Sequence, residues 1–561
     1  MTTKLAFNQI DGLAINVKDF GVTGSGDESA GMAAALAAGD VIDLQGLSIS
    51  TGALSKTTDA LKIFSSKPGA KLTFNGAANT ENFILITTST AAAEVVFMDF
   101  ELDCQTNAAK GLHVTNSTTG KRYFSRNVKV SNCTQTASTG LAAGHYIYGG
   151  FTDVIFENPE ADTINSTGGS LVSSGIRTGQ NGTAVSANIT VVNPIMTSVT
   201  PGDDGDGLAL LQSFPYTING YYKVIGGHFK NCHKRAIKTQ CFKTLVHEPY
   251  IERTEVHVTS AGNIDIDIQY GNGEIYNPTF DYDDDTKYPD GGIISLNGPR
   301  GETSDNTGNS THLIGGVCNI GSIVTAPDYL FNTSTYDAND KINRPMVSGF
   351  TFNGEVDHIW QIRPLASATF NDDIVFSPII KDSIFETVNT SVFELDRSGT
   401  GYAFVSNAEL INNTIESGAV DKDVLITTNI GITYGTVAFN TNIKDSVTTY
   451  SGSFAVDTGS TLSKNYTLSD NSSAEITIMY STGAGVTYHL ARKSTLTLGN
   501  GAAEDQESNI QNITGLGGTL SITSTWGGST WDVQIDKSAG SGAVAGNLDI
   551  IIDCPQGLTE V

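Results

Sequence analysis

The chain has 561 residues, of which 59 are acidic and 32 basic, for a net charge of -27. That balance leaves no electrostatic footprint for a phosphate backbone and no basic run for an anionic membrane, so nucleic acid and membrane insertion are excluded as partners. The N-terminal stretch lacks the charged-then-apolar layout of a signal peptide and no apolar run is long enough to span a bilayer, so synthesis in a cytosol is expected.

Glycine is abundant, at 60 residues, and Thr, Ser, Asn, Val and Ile are prominent, which indicates a nearly all-β chain with many turns. Six cysteines (Cys104, Cys133, Cys232, Cys241, Cys318 and Cys554) lie scattered without a CxxC pair. Most are expected as buried thiols rather than a disulfide framework or zinc site, and no metal or cofactor is implied.

The first element in chain order is VKDFGV, followed by a Gly-rich turn and an Ala-rich helix in GDESAGMAAALAAG. Asp27 or Ser29 is positioned to cap that helix and Gly39 to stop it. From about residue 110 a short strand opened by a small or polar residue recurs: KGLHVT, HYIYGG, SGIRTG, DGLALLQ, RAIKTQ, NIDIDIQ and GGIISLN. Their inward anchors, Leu112, Ile147, Ile176, Leu208, Ile237, Ile266 and Ile294, are spaced by about thirty residues, a repeat period. Most are followed by a second strand, in NVKVSNC, DVIFENP, NITVVNP, YKVIGG, KTLVHEP, GEIYNP and THLIGG. Two or three strands per rung, stacked about 4.8 Å apart, make a parallel β-helix. Cys133 and Cys232 end strands in the same NC context, which suits an internal stack. From about residue 451 the rung signature stops, and longer alternating strands with hairpin spacing suit an antiparallel β-sandwich.

The VKDFG element, the acidic Gly-rich turn, the Ala-rich helix and the following DVIDLQG strand together resemble the opening of the pectate-lyase-like β-helix of bacteriophage tailspike proteins. The usual paired aspartates before the helix are here only Asp27 and Glu28. The resemblance implies a right-handed parallel β-helix, with a helical cap over 1–50, a catalytic helix over 51–450 and a C-terminal domain over 451–561. In such proteins the last domain caps or trimerises the helix, or binds glycan. The resemblance further implies a homotrimer in a virion tail, made in the host cytoplasm and acting at the bacterial surface on capsule or O-antigen. Residues 1–16 leave little room for a virion-binding domain, so either the chain is truncated or it docks on another tail protein.

The rung register makes a sharper statement about side chains. Residues directly after the anchors form one outward column: His113, Tyr148, Arg177, Ala209, Lys238, Asp267 and Ser295. Those directly before form another: Gly111, Tyr146, Gly175, Gly207, Ala236, Asp265 and Ile293. Together these describe the wall and floor of a groove, in which Tyr146, Tyr148, Arg177 and Lys238 would bind sugar by stacking and charged hydrogen bonds. Merely solvated β-helix faces are the plain alternative. Asp265 and Asp267, at i and i+2 on one strand, are expected about 6.6 Å apart on an exposed face, near the lower end of the spacing of inverting glycosidases. Lys238 on the preceding rung would lower the pKa of Asp267.

A second acidic cluster is Asp203, Asp204 and Asp206 in TPGDDGDGLAL. Polygalacturonase-like hydrolases are similar in placing an Asp pair at such a site, followed by GH and RIK elements; here His228 comes from GGH, and Arg235 and Lys238 from RAIK. The extra residue in RAIK is expected to move Arg235 off the face of Lys238, and a cation-binding or turn-forming loop is the bland alternative. Glu248, Glu252 and Glu274 are weaker candidates, YDDDTKYPDGG reads as an exposed loop, and Trp526 and Trp531 could stack sugar or fill a core. The sequence therefore indicates glycoside hydrolysis of a bacterial polysaccharide, with a lyase or a non-catalytic adhesin as rivals; no GDS-type or GxSxG motif supports an esterase.

Overall fold

A computed structural model describes residues 14–137, 140–167, 172–200, 204–212, 220–256, 263–269, 271–297, 310–335, 342–364 and 378–395, together with separate strands beyond these bounds. The fold is the parallel β-helix that the repeat implies: one 36-stranded parallel sheet system in which each strand pairs with its counterpart on the next rung. Three sheets run along it. Val172–Gly179, Asp204–Leu211, Arg235–Gln240, Ile266–Gln269 and Ile294–Ser295 are successive strands of the first. Asn188–Val192, Tyr221–Ile225, Lys243–His247 and Asn272–Tyr276 belong to the second. Ile195–Val199, His228–Cys232, Tyr250–Arg253 and Thr279–Tyr282 form the third.

The repeated Asn-Pro and Gly-Gly pairs of the sequence mark the corner between the second and third sheets. Asn127, Asn158, Asn193, Gly226, Asn277, Gly315 and Gly349 all have positive φ there. Only Gly and Asn adopt that conformation cheaply. The asparagines also stack: Asn127 Nδ2 donates to Asp99 at 2.7 Å, Asn158 to Asn127 at 2.8 Å and Asn193 to Asn158 at 3.3 Å. NVKVSNC belongs to the third sheet rather than the second, as part of Gly120–Gln135, which passes through both.

The predicted helix is Ser29–Ala38. Asp27 accepts from the Ser29 amide at 3.0 Å, and Glu28 binds back to the turn through the Gly24 amide at 2.8 Å. The first coil is tied to it by pairing of Ile15–Asn16 with Val41–Asp43. No helix among the described residues is long and apolar enough to cross a membrane.

All seven anchors are buried. Cys133, Ile164, Val199 and Cys232 lie in one register column, the internal stack that the NC context suggests. The five described cysteines are free and buried, and Cys554 lies outside the described residues. One anchor differs: Leu112 and Ile176 both pair with His145, and Ile147 sits two residues further along. A slip of two leaves every side chain on its expected face, so alternation alone cannot detect it.

Parallel pairing continues to Ile426–Thr428, and antiparallel pairing begins with Val447–Val456. The later strands form two five-stranded antiparallel sheets. In one of them Trp526 and Trp531 are cross-strand partners.

Candidate functional site

The first sheet bends just before its anchors, and that bend decides the site. In an unbroken strand Ala236 and Ile237 would face opposite sides, yet both are in the core. A Cβ on Gly207 would fall 2.6 Å from the Ala236 carbonyl and 2.9 Å from Cys232 Sγ, and one on Gly175 would lie 2.4 Å from Met196 Sδ. The column of small residues before the anchors therefore faces the crowded interior of a corner. It is not the floor of a groove.

Asp265 occupies that inward column, which overturns its expected pairing with Asp267. It is fully buried and accepts from Arg253 Nε at 2.8 Å, from Arg253 Nη2 and from the Tyr282 hydroxyl. Arg253 and Tyr282 are themselves buried. Both lie two residues beyond inward-facing Ile251 and Phe280, so period two in YIER and TFDY already pointed to their direction. Asp265 is half of an internal ion pair on the opposite side of the backbone from Asp267.

Asp267 does point outward, into a cluster centred on Arg235. Arg235 Nε donates to Asp267 Oδ2 at 2.8 Å, and Nη1 donates to Asp204 Oδ1 at 2.7 Å and Asp206 Oδ1 at 3.1 Å. Lys238 Nζ reaches Asp204 Oδ2 at 3.3 Å. The bend that turns Ala236 inward carries Arg235 back over the same surface as Lys238, so both bind Asp204. The extra residue in RAIK does not separate them. The expected exposure is also corrected: Asp206, Asp267, Lys238 and Arg235 are all buried, at 0%, 1%, 8% and 8%. A guanidinium lying across three carboxylates screens them as it neutralises them.

The environments of the two neighbouring aspartates push their pKa values apart. Burial raises that of Asp204, but the charges of Lys238 and Arg235 outweigh it and hold it at about 2. For Asp206 burial prevails over the pull of Arg235 and Lys238, and the pKa rises above the ordinary carboxylate value. Burial disfavours the Arg235 charge, but Asp206, Asp267 and Asp204 more than restore it. Asp206 Oδ2 and Asp267 Oδ1 have no hydrogen-bond partner among the described residues. Gln269 Nε2 donates to Asp267 Oδ2 at 2.6 Å, and Gln240 Nε2 to Gln269 at 2.7 Å. These two glutamines were not singled out from the sequence, although each stands two residues beyond Lys238 or Asp267 on the same face.

Further along the same outward column, Tyr146 pairs with His113 on one side and Arg177 on the other. Tyr146 thus takes the place expected for Tyr148. The Tyr146 and His113 rings stack at 4.7 Å, and Tyr148, a residue 39% exposed, has its ring 6.0 Å from that of Tyr146. Lys110 stands over the Tyr146 ring at 5.6 Å and pairs with Glu81 at 2.7 Å. Burial raises the Tyr146 pKa to about 12 and lowers that of His113 to about 4.

His228 is not part of this cluster. It lies on the third sheet, where its Nε2 meets Glu252 at 2.9 Å, beside a Lys230 to Glu252 bond of 2.7 Å. Glu274 is paired with Lys243 on the second sheet. In YDDDTKYPDGG, Asp284 caps a short 3-10 turn as a loop acid would, but Tyr282 and Tyr288 are buried. Asp203 lies outside the described residues.

No family model and no curated protein matches the sequence. Solved structures similar in fold are phage tailspikes. The tailspike of Acinetobacter phage vB_ApiP_P1 aligns over 99% of this chain and 89% of its own, at 14% identity and a TM-score of 0.36. The gp54 tailspike of Acinetobacter baumannii bacteriophage AP22, solved with a capsular saccharide, covers 98% and 97% at 9% identity and a TM-score of 0.36. The E. coli bacteriophage HK620 tailspike, solved with a pentasaccharide, covers 96% and 93% at 9% identity and a TM-score of 0.33. Values this low carry no statement about substrate or chemistry, which must be read from the side chains of this chain.

Proposed function

We propose that the protein is a phage tailspike whose β-helix depolymerises a bacterial surface polysaccharide by glycoside hydrolysis, at the cluster of Asp204, Asp206, Asp267, Arg235 and Lys238. The observation that carries this reading is the divergence of two adjacent carboxyls. Asp204 is ionised and partly exposed, whereas Asp206 is buried, has its pKa raised above the ordinary carboxylate value and has an unpartnered oxygen. Paired carboxyls with pKa values forced apart supply the base or nucleophile and the acid that glycoside cleavage needs. Because both accept from the same Arg235 nitrogen, at 2.7 and 3.1 Å, their bonded oxygens lie within about 6 Å. That is closer to the spacing of retaining enzymes than to the wider gap of inverting ones. Asp206 is accordingly assigned as acid and Asp204 as nucleophile or base; Asp267 fixes Arg235. Tyr146, Tyr148, Arg177 and Lys238 line the adjoining binding surface. A lyase using Arg235 as base is disfavoured, because three carboxylates hold that guanidinium protonated.

The same reading divides the chain into a cap over 1–50, the β-helix over 51–450 and a C-terminal sandwich over 451–561 that trimerises the helix or binds glycan. A homotrimer in the virion tail, attached through another tail protein, would cover exposed apolar side chains such as Ile195, Ile225 and Phe242. The deciding experiment is digestion of capsule or O-antigen with product analysis. Oligosaccharides of defined repeat length with ordinary reducing ends support hydrolysis. An unsaturated, ultraviolet-absorbing end would establish a lyase, and intact polymer with retained binding an adhesin.

A further inference from the structure

The outward column places two cations on either side of an alanine. Arg177 is in register with Ala209, and Ala209 with Lys238. Adjacent rungs are about 4.8 Å apart, so the two long side chains rise from backbone positions roughly 10 Å apart, with only a methyl group between them. Ala209 is itself fully buried beneath its neighbours, so the two cations close over it. Lys238 spends one contact on Asp204. Arg177 has no ion pair among the described residues, and its Nη1 is buried without a hydrogen-bond partner there. Both cations stand in the one outward column, two rungs apart, which puts them on the same face of the first sheet. An unsatisfied guanidinium nitrogen out of contact with water costs free energy that a bound anion would recover.

Resting on the glycan reading above, we propose that the substrate is an anionic polysaccharide and that Arg177 and Lys238 bind the carboxylate of an acidic sugar over Ala209, next to the carboxyls that cleave the chain. In a protein of net charge -27 a polyanion is repelled at long range, so its recognition requires a cation not already spent on the protein's own carboxylates, and Arg177 supplies one. The shape fits a planar carboxylate, which a guanidinium can grip with two parallel bonds while an ammonium approaches from the side. Tyr146, in register with Arg177, offers its ring to the sugar carrying that carboxylate. Beyond Lys238 the column continues as Asp267, Ser295, Asn332, Gln361 and Glu394, with no cation. The acidic sugar is thereby placed at one end of the cleaved segment, and uncharged sugars at the other.

The test is an array of bacterial surface polysaccharides with neutral, amino-sugar and carboxylated repeat units, in which every acidic polymer stands beside its carboxyl-reduced form. The strongest binders should be carboxylated, and carboxyl reduction should weaken binding roughly tenfold to a hundredfold, the worth of a hydrogen bond to a charged group. Arg177→Gln should lose the same factor on the native polymer and nothing more on the reduced one, and Arg177→Lys should restore part of it; circular dichroism verifies that both variants are folded. A neutral polymer as strongest ligand, or independent losses from R177Q and carboxyl reduction, would overturn the anion site while leaving the glycan reading intact. Failure of the folded wild-type protein to bind any polymer would overturn both.

Discussion

Replacing Arg235 by methionine keeps most of the side-chain volume and removes the guanidinium shared by Asp204, Asp206 and Asp267. Breaking a buried ion pair from one side costs about 3 to 5 kcal/mol, because the partner charge is left in the interior. Here Asp206 and Asp267 would both be stranded. Asp204 would also lose part of a stabilisation that, for a fall from 3.8 to about 2, is worth about 2 kcal/mol at neutral pH. The sign with pH follows from which protons move. In the wild type the Asp204 contribution is fully present above pH 3.8 and disappears as pH falls through about 2. Asp206 works the other way, since its raised pKa makes the buried charge a burden at high pH that protonation relieves. Without Arg235, Asp204 keeps the charge of Lys238, the larger of its two cationic partners, whereas Asp206 loses its main one and its buried charge becomes a heavier burden. The deficit of Arg235→Met should therefore be largest near pH 8 and shrink toward about pH 4. Because a protein of this size and topology is expected to unfold irreversibly, the comparison is best made as unfolding half-life in denaturant at fixed temperature across that range. Wild-type resistance at pH 8, or a deficit that does not change with pH, would refute the assignment of Arg235 as the cluster's counter-charge.

Asp206→Asn and Asp204→Asn should each reduce depolymerisation by roughly 10² to 10⁴ with glycan binding retained, whereas Asp265→Asn should reduce stability and leave turnover of the folded fraction near normal. Proton NMR of the first-formed products should show retained anomeric configuration, and clean inversion would reject Asp204 and Asp206 as the working pair. His145 is fully buried against Phe156, and burial lowers its pKa to about 4. The unfolded chain therefore takes up this proton first as pH falls below 6.5, and His145→Leu should gain up to about 3 kcal/mol over wild type near pH 4. Light scattering at assay concentration should report three chains, and a monodisperse monomer would end the trimer proposal.

The strand repeat and the inward anchors were legible in the sequence because they follow from a local rule, period two for burial; composition announced many turns, but not that the Asn-Pro and Gly-Gly pairs form one corner at positive φ. Lys238 and Asp267 were singled out from the rung register, and Asp204, Asp206 and Arg235 from an acidic cluster and a resemblance to polygalacturonase-like hydrolases; the structure brings all five together. The sequence could not show where a strand stops being straight. The bend before each anchor sends Asp265 inward to Arg253 and swings Arg235 outward across three carboxylates, so two aspartates that look like a pair are separated by the backbone. Residues 31 positions apart, Asp204 and Arg235, instead share a hydrogen bond. The burial of that cluster, and with it the opposed pKa values of Asp204 and Asp206, arises only when side chains from three successive rungs cover one another. Alternation along one strand fixes a face, but curvature of the coil decides which neighbours that face meets.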